Sequence, residues 1–190
     1  MNLPLRTGLF LLLFALPLAS SWAEEEKYED TINIFRNAGE SGSFFSNSYG
    51  YAVFPTIGKG GIGIGGAYGK GRVYVGDKYV GGTSMTQLTL GLQLGGQAYS
   101  QIIFFEDKRA FDEFTGGNFE FGAQASAVAI TAGASAGAST GGSSAGASGG
   151  KNNATTVGKY HKGMAVFTVA KGGLMYEASI GGQKFSYTAK

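Results

Sequence analysis

Few residues in this chain of 190 have the types and spacing that chemistry requires. The single histidine, His161, lies in Lys159-Tyr160-His161-Lys162, a basic, turn-like stretch in which an imidazole is solvated rather than poised as a general base. Glu106-Asp107 and Asp112-Glu113 bring carboxylates close together, as general acid–base or glycoside chemistry would need. Their spacing instead makes them the wet side of one short helix. Gly61-Ile62-Gly63-Ile64-Gly65-Gly66 has the letters of a dinucleotide fingerprint. That motif must end a strand and open a helix, so that helix-terminal amides meet the pyrophosphate, whereas here glycine continues into strand-type alternation. Neither Lys59 nor Lys70 is followed by the Ser or Thr of a phosphate loop. With no cysteine there is no thiol nucleophile and no Cys-ligated zinc, and one histidine cannot build a multi-His metal centre. The expectation is a protein with no catalytic residue, no metal and no cofactor, hence not an enzyme.

A second pattern carries more. Between Lys59 and Lys78 the cations Lys59, Lys70, Arg72 and Lys78 face a single acid, Asp77, with Tyr68 and Tyr74 among them and Tyr79 directly after. Such a segment suits phosphate headgroups, each Lys or Arg being worth on the order of 1 kcal/mol near an anionic surface. An internal echo enlarges it. Tyr51-Ala52-Val53-Phe54 and Lys59-Gly60-Gly61 recur as Met164-Ala165-Val166-Phe167 and Lys171-Gly172-Gly173. At one constant offset Ile62 then matches Leu174, Gly69 matches Gly181 and Arg72 matches Lys184. The echo predicts two related hairpin units, adjacent in one sheet or barrel, that gather Lys59, Lys70, Arg72, Lys171 and Lys184 into one patch. A formal charge of +2 is too small for a generic nucleic-acid binder.

The elements that must position these residues follow from hydrophobic period. From Glu24 to about Ser48 the reading is helical, with Tyr28, Ile32 and Phe35 on one face and an end or kink at Gly39. Glu24, Glu25 and Glu26 suit the helix start, where the dipole favours negative charge. After Pro55 the period becomes two. Gly76-Asp77-Lys78 reads as a hairpin turn. Leu88, Leu90, Leu92 and Leu94 share one strand face, and Gln87, Thr89, Gly91 and Gln93 the other. A short helix follows, with Asp107 near its start, Ala110, Phe111 and Phe114 inside, and Gly116-Gly117 at its end. Further strands are expected over 119–129, 155–160, 164–170, 174–180 and 184–187. The fold class is β-rich α+β, an antiparallel sheet or partly closed barrel with an N-terminal amphipathic helix and one short middle helix. Residues 131–150 contain only Ala, Gly, Ser and Thr and read as a long loop or a weak strand pair.

The N-terminus reads as an address. Arg6 precedes an apolar run, Leu9 to Ala19, of about ten residues, half of what a membrane span needs. Ser21-Trp22-Ala23 then offers small residues where a signal peptidase reads, followed by Glu24-Glu25-Glu26-Lys27. The expectation is a cleaved signal peptide over 1–23 and a single domain over 24–190, exported and either periplasmic or secreted.

Gly50-Tyr51-Ala52-Val53-Phe54-Pro55, Gly58-Lys59-Gly60-Gly61-Ile62-Gly63-Ile64-Gly65-Gly66-Ala67, Gln93-Leu94-Gly95-Gly96-Gln97 and Gly163-Met164-Ala165-Val166-Phe167 resemble the SYLF domain, a lipid-binding module also known from actin-associated yeast proteins. The resemblance covers Thr31 to Tyr187. It implies a non-enzymatic protein that binds phospholipid, with an amphipathic N-terminal helix aiding membrane contact; actin binding is implied only for some eukaryotic members. Without a cysteine the chain cannot be acylated as bacterial lipoproteins are, so membrane attachment is reversible. The sequence reading is thus a peripheral module of the bacterial envelope docking on anionic lipid, with Phe35, Phe44 and Phe45 inserting and the five cations meeting phosphates. Two alternatives stand beside it: an integral outer-membrane β-barrel, and an envelope structural module that binds a protein partner.

Overall fold

The computed structural model describes residues 16–62, 64–90, 97–123, 125–130, 159–171 and 179–190. Its helices are α1 (Leu16–Asn37), α2 (Phe44–Asn47) and α3 (Lys108–Thr115). Its strands are β1 (Gly50–Ile62), β2 (Ile64–Val75), β3 (Lys78–Leu90), β4 (Gln97–Phe105), β5 (Phe119–Glu120), β6 (Val128–Ile130), β7 (Met164–Lys171) and β8 (Lys184–Ala189). They form one mixed sheet in the order β5-β8-β3-β2-β1-β4-β7-β6, curled into an open half-barrel. All pairings are antiparallel except β6 with β7. A membrane barrel needs a closed ring, whereas here β5 and β6 are the two ends of the described sheet.

Local signals explain the elements that position the surface. The β2–β3 turn holds Gly76 at φ 53° and Asp77 at φ 61°, the pair of left-handed residues that a tight, right-twisted hairpin requires. Asp107 caps α3 by accepting a hydrogen bond from the Ala110 amide at 2.8 Å, and Ala110 and Phe114 are buried as their spacing predicts. Ser41 donates to the Phe35 carbonyl at 2.6 Å, satisfying one of the groups left open where α1 ends. α1 begins at Leu16, before the expected cleavage point. The expected N-terminal helix is present over 23–37, and Glu24, Glu25 and Glu26 open that part of it.

Both faces of the sheet are packed. Inside the curl, Phe54, Ile57, Met85, Ile103, Phe105, Phe114 and Phe185 form the larger core, closed by α3. On the convex side Tyr28, Ile32 and Phe35 of α1, with Phe44 of α2, cover Tyr51, Val53, Tyr74, Ile102, Phe104 and Phe167. Strand glycines make room for aromatic rings: a Cβ on Gly71 would sit 2.6 Å from the Phe54 ring, and one on Gly81 2.6 Å from that of Tyr187. Within the inner core Gln101 and Gln183, both fully buried, exchange two amide hydrogen bonds at 2.9 and 3.1 Å, and Gln183 also donates to Tyr99 Oη.

The echo units are not adjacent hairpins. β1 and β2 form the central hairpin, β7 lies beyond β4 on one side, and β8 lies beyond β3 on the other. β1 is one residue longer between Phe54 and Lys59 than β7 is between Phe167 and Lys171. A β-bulge between Val53 and Thr56 takes up that residue and keeps Phe54 and Lys59 on one face. The segment 131–150, Leu92 and Leu94, and the strands expected over 155–158 and 174–178 lie outside the described residues.

Candidate functional site

The register of the sheet decides where each predicted residue points. Lys184 lies opposite Thr86, Thr86 opposite Tyr68, Tyr68 opposite Gly58, Gly58 opposite Ala98, and Ala98 opposite Lys171. Residues directly opposite share a face, so Lys184 and Lys171 occupy one row of the convex face with Tyr68 between them. They are five strand steps apart, about 24 Å along the curve. Lys70 and Arg72 follow Tyr68 at two-residue intervals on β2 and share that face. Lys59 does not. Its partner is Ala67, whose side chain belongs to the inner core, so Lys59 points into the curl. The structure thus gathers Lys70, Arg72, Lys171 and Lys184 on one side and separates Lys59 from them.

The four convex cations differ in what they already bind. Arg72, only 18 % exposed in its side chain, pairs with Glu25 of α1 and lies 4.3 Å over the Tyr28 ring and 5.2 Å over that of Tyr79. Burial works against its charge, but hydrogen bonds to Glu25 and Tyr74 outweigh this and raise its pKa. Arg72 is therefore a clamp between helix and sheet. Lys184 pairs with Glu120 at 3.5 Å on an exposed surface, a contact of little strength. Lys171 donates to Thr56 Oγ1 at 3.1 Å, and its pKa is lowered by burial and then by the neighbouring Lys27. Among the described residues Lys70 makes no ion pair. It opens onto a cleft of about 360 Å³ between α1 and the sheet, edged by Glu24, Arg72, Tyr79, Ser84 and Thr188.

The predicted inserting aromatics are placed otherwise. Phe35 is fully buried and Phe44 nearly so, both holding the helices to the convex face. Phe45 is half-buried, edge-on to Phe104 at 4.9 Å and roofed by Arg36 at 4.8 Å. Apolar residues with the right period were spent on packing because α1 covers the sheet instead of standing free. The exposed apolar groups lie elsewhere: Leu88 is 84 % exposed, Ile64 70 % and Tyr68 52 %. In the leucine stripe the polar partner is the inward one, for Gln87 is buried and donates to the Gly181 carbonyl at 2.8 Å. Lys27, which joins the convex cations beside Lys171, was also missed. Unbroken alternation from Gln87 to Leu94 marked the stripe, but not which of its two faces was outside.

His161 is exposed in a turn that closes on Met164, with two backbone hydrogen bonds between them. Among the described residues no helix is long and apolar enough to cross a membrane. The model of one family, described as Ysc84, Las17-binding protein actin regulator, matches residues 86–189, from the last residues of β3 through β8. It is the SYLF family that the sequence resembles, matched over more than half of the chain. No curated protein matches the chain.

Proposed function

Because the chain belongs to the Ysc84 (SYLF) family, a family of actin- and lipid-binding modules, we propose that it is a non-enzymatic protein that docks peripherally and reversibly on anionic phospholipid. Its place is the cell envelope, reached by export; the support for that part is the basic, apolar and small-residue order of 1–23. One observation carries the lipid reading. Lys70, Lys171 and Lys184 are exposed on the same sheet face, with Tyr68 between them, and no acid but Glu120 is paired with any of them among the described residues. The three lie within about 24 Å along the convex face, and each that reaches an anionic surface contributes on the order of 1 kcal/mol.

The test compares binding of the full chain to vesicles that differ only in anionic lipid content. Binding should rise with anionic content and fall with salt. Lys70→Glu and Lys171→Glu should each weaken it roughly fivefold or more, and Lys59→Glu, on the other face, should change it little. Equal losses from all three variants, or none, would remove the convex face from the reading. The family description also names a protein partner, Las17. A protein-binding role for this chain predicts saturable capture of that partner with no dependence on lipid charge.

A further inference from the structure

We propose that the outward face at the far end of β2 and β3, made by Ile64, Leu88 and Tyr68, enters the apolar layer of an anionic bilayer, with Lys70 behind it at the phosphates. The inference rests on the lipid-binding reading and names the residues that insert. Leu88 lies opposite Gly66, which has no side chain to cover it, and Ile64 and Tyr68 flank Gly66 on the same face of β2. The three are therefore contiguous, and all are more than half exposed. A single exposed leucine is ordinary, but a contiguous apolar patch on a regular sheet face marks an interaction site.

Charge and order along the strand select the occupant. From Gly60 to Phe105 the only acid is Asp77. It sits at the opposite end of β2, paired with Arg36 at 3.3 Å and accepting from Tyr51 Oη at 3.1 Å. A second copy of the chain docked face to face would bring the same lysines together, and their repulsion opposes that contact. An anionic bilayer complements both properties. Ile64, Tyr68 and Lys70 run apolar, amphipathic, basic along one face over about 20 Å, close to the depth of one leaflet with its headgroups. Tyrosine at the middle of such a gradient matches its preference for the boundary between hydrocarbon and headgroups. β2 pairs on both sides, with β1 and β3, so its backbone groups stay satisfied where it enters the bilayer. The helix cannot take this role while it stays packed, since Tyr28, Ile32 and Phe35 are all buried against the sheet.

The experiment places a reporter at the patch. In the full chain, Trp22→Phe with Leu88→Trp leaves one indole. It is mixed with vesicles of phosphatidylcholine alone, or with phosphatidylglycerol added. The expected result is a blue-shifted emission, quenched by brominated acyl chains, on the phosphatidylglycerol vesicles only. Ile64→Ser with Leu88→Ser should lower partition by about tenfold or more with circular dichroism unchanged, because both side chains are exposed. Binding with the indole still emitting as in water would overturn insertion here and leave the lipid-binding reading intact. No binding to anionic vesicles would overturn both. A blue shift without vesicles that grows with protein concentration would make this face a contact between copies, and would overturn the proposal too.

Discussion

Truncating Phe35 to alanine asks whether α1 is spent on packing or held for the bilayer. Phe35 has no exposed surface and sits in the convex core with Tyr51, Val53, Tyr74 and Phe104. Emptying such a site costs about 3–5 kcal/mol, of which the lower end applies if α1 can settle toward the sheet. A domain of this size has about 5–15 kcal/mol in all, so the variant should fold but be weakened. With a urea dependence of about 1–3 kcal/mol per molar, the unfolding midpoint should fall by about 1 M or more. Leu88→Ala is the control: at 84 % exposure it should change stability by no more than about 0.5 kcal/mol. Urea titrations followed by circular dichroism, with vesicle binding measured on the same samples without denaturant, give both quantities. Phe35→Ala should lower the midpoint and leave binding by the folded protein intact. A loss of vesicle binding at an unchanged midpoint would refute the reasoning and return Phe35 to the membrane.

Two further outcomes follow from the buried polar groups. Gln183→Leu should cost about 1–3 kcal/mol because it orphans the Gln101 amide in a site with no exposure; adding Gln101→Leu should recover part of that, and a double-mutant cycle with no coupling would count against the pair. Burial pushes the Tyr99 phenol up from 10.0 to about 12, against the hydrogen bond from Gln183, and burial likewise pushes Tyr28 to about 12, against the Arg72 charge. A raised folded pKa means that the native state holds the proton longer, so the stability from these phenols is complete below pH 10 and is lost between pH 10 and about 12. Unfolding free energies measured across that range, beside tyrosinate absorbance, check it; a flat profile would contradict the burial of both rings.

What was legible in the chain depended on local period and on turn chemistry. Tyr28, Ile32 and Phe35 share a helical face whatever lies beneath it, Asp107 could only cap the helix that follows, and Gly76-Asp77 suits few conformations other than a tight turn. The family resemblance, too, was carried by short blocks whose order along the chain needs no structure to read. Of the candidate site, four of the five cations lie on one face, while Phe35 and Phe44 are core residues and Phe45 is half-buried against them.

The rest was decided by which layers meet. Alternation of period two assigns residues to two faces without saying which face closes on a core, and this sheet carries a core on each side. Gln87 therefore points inward to the Gly181 carbonyl while Leu88 points to solvent, the reverse of a hydropathy argument. Lys59 and Lys171 match in the echo, yet β1 turns Phe54 and Lys59 into the curl and β7 turns Phe167 and Lys171 away from it. Chain period is a local property of the sequence. The side of a sheet is a relation among strands far apart in the chain, set by where α1 and α3 land, and only the assembled fold contains it.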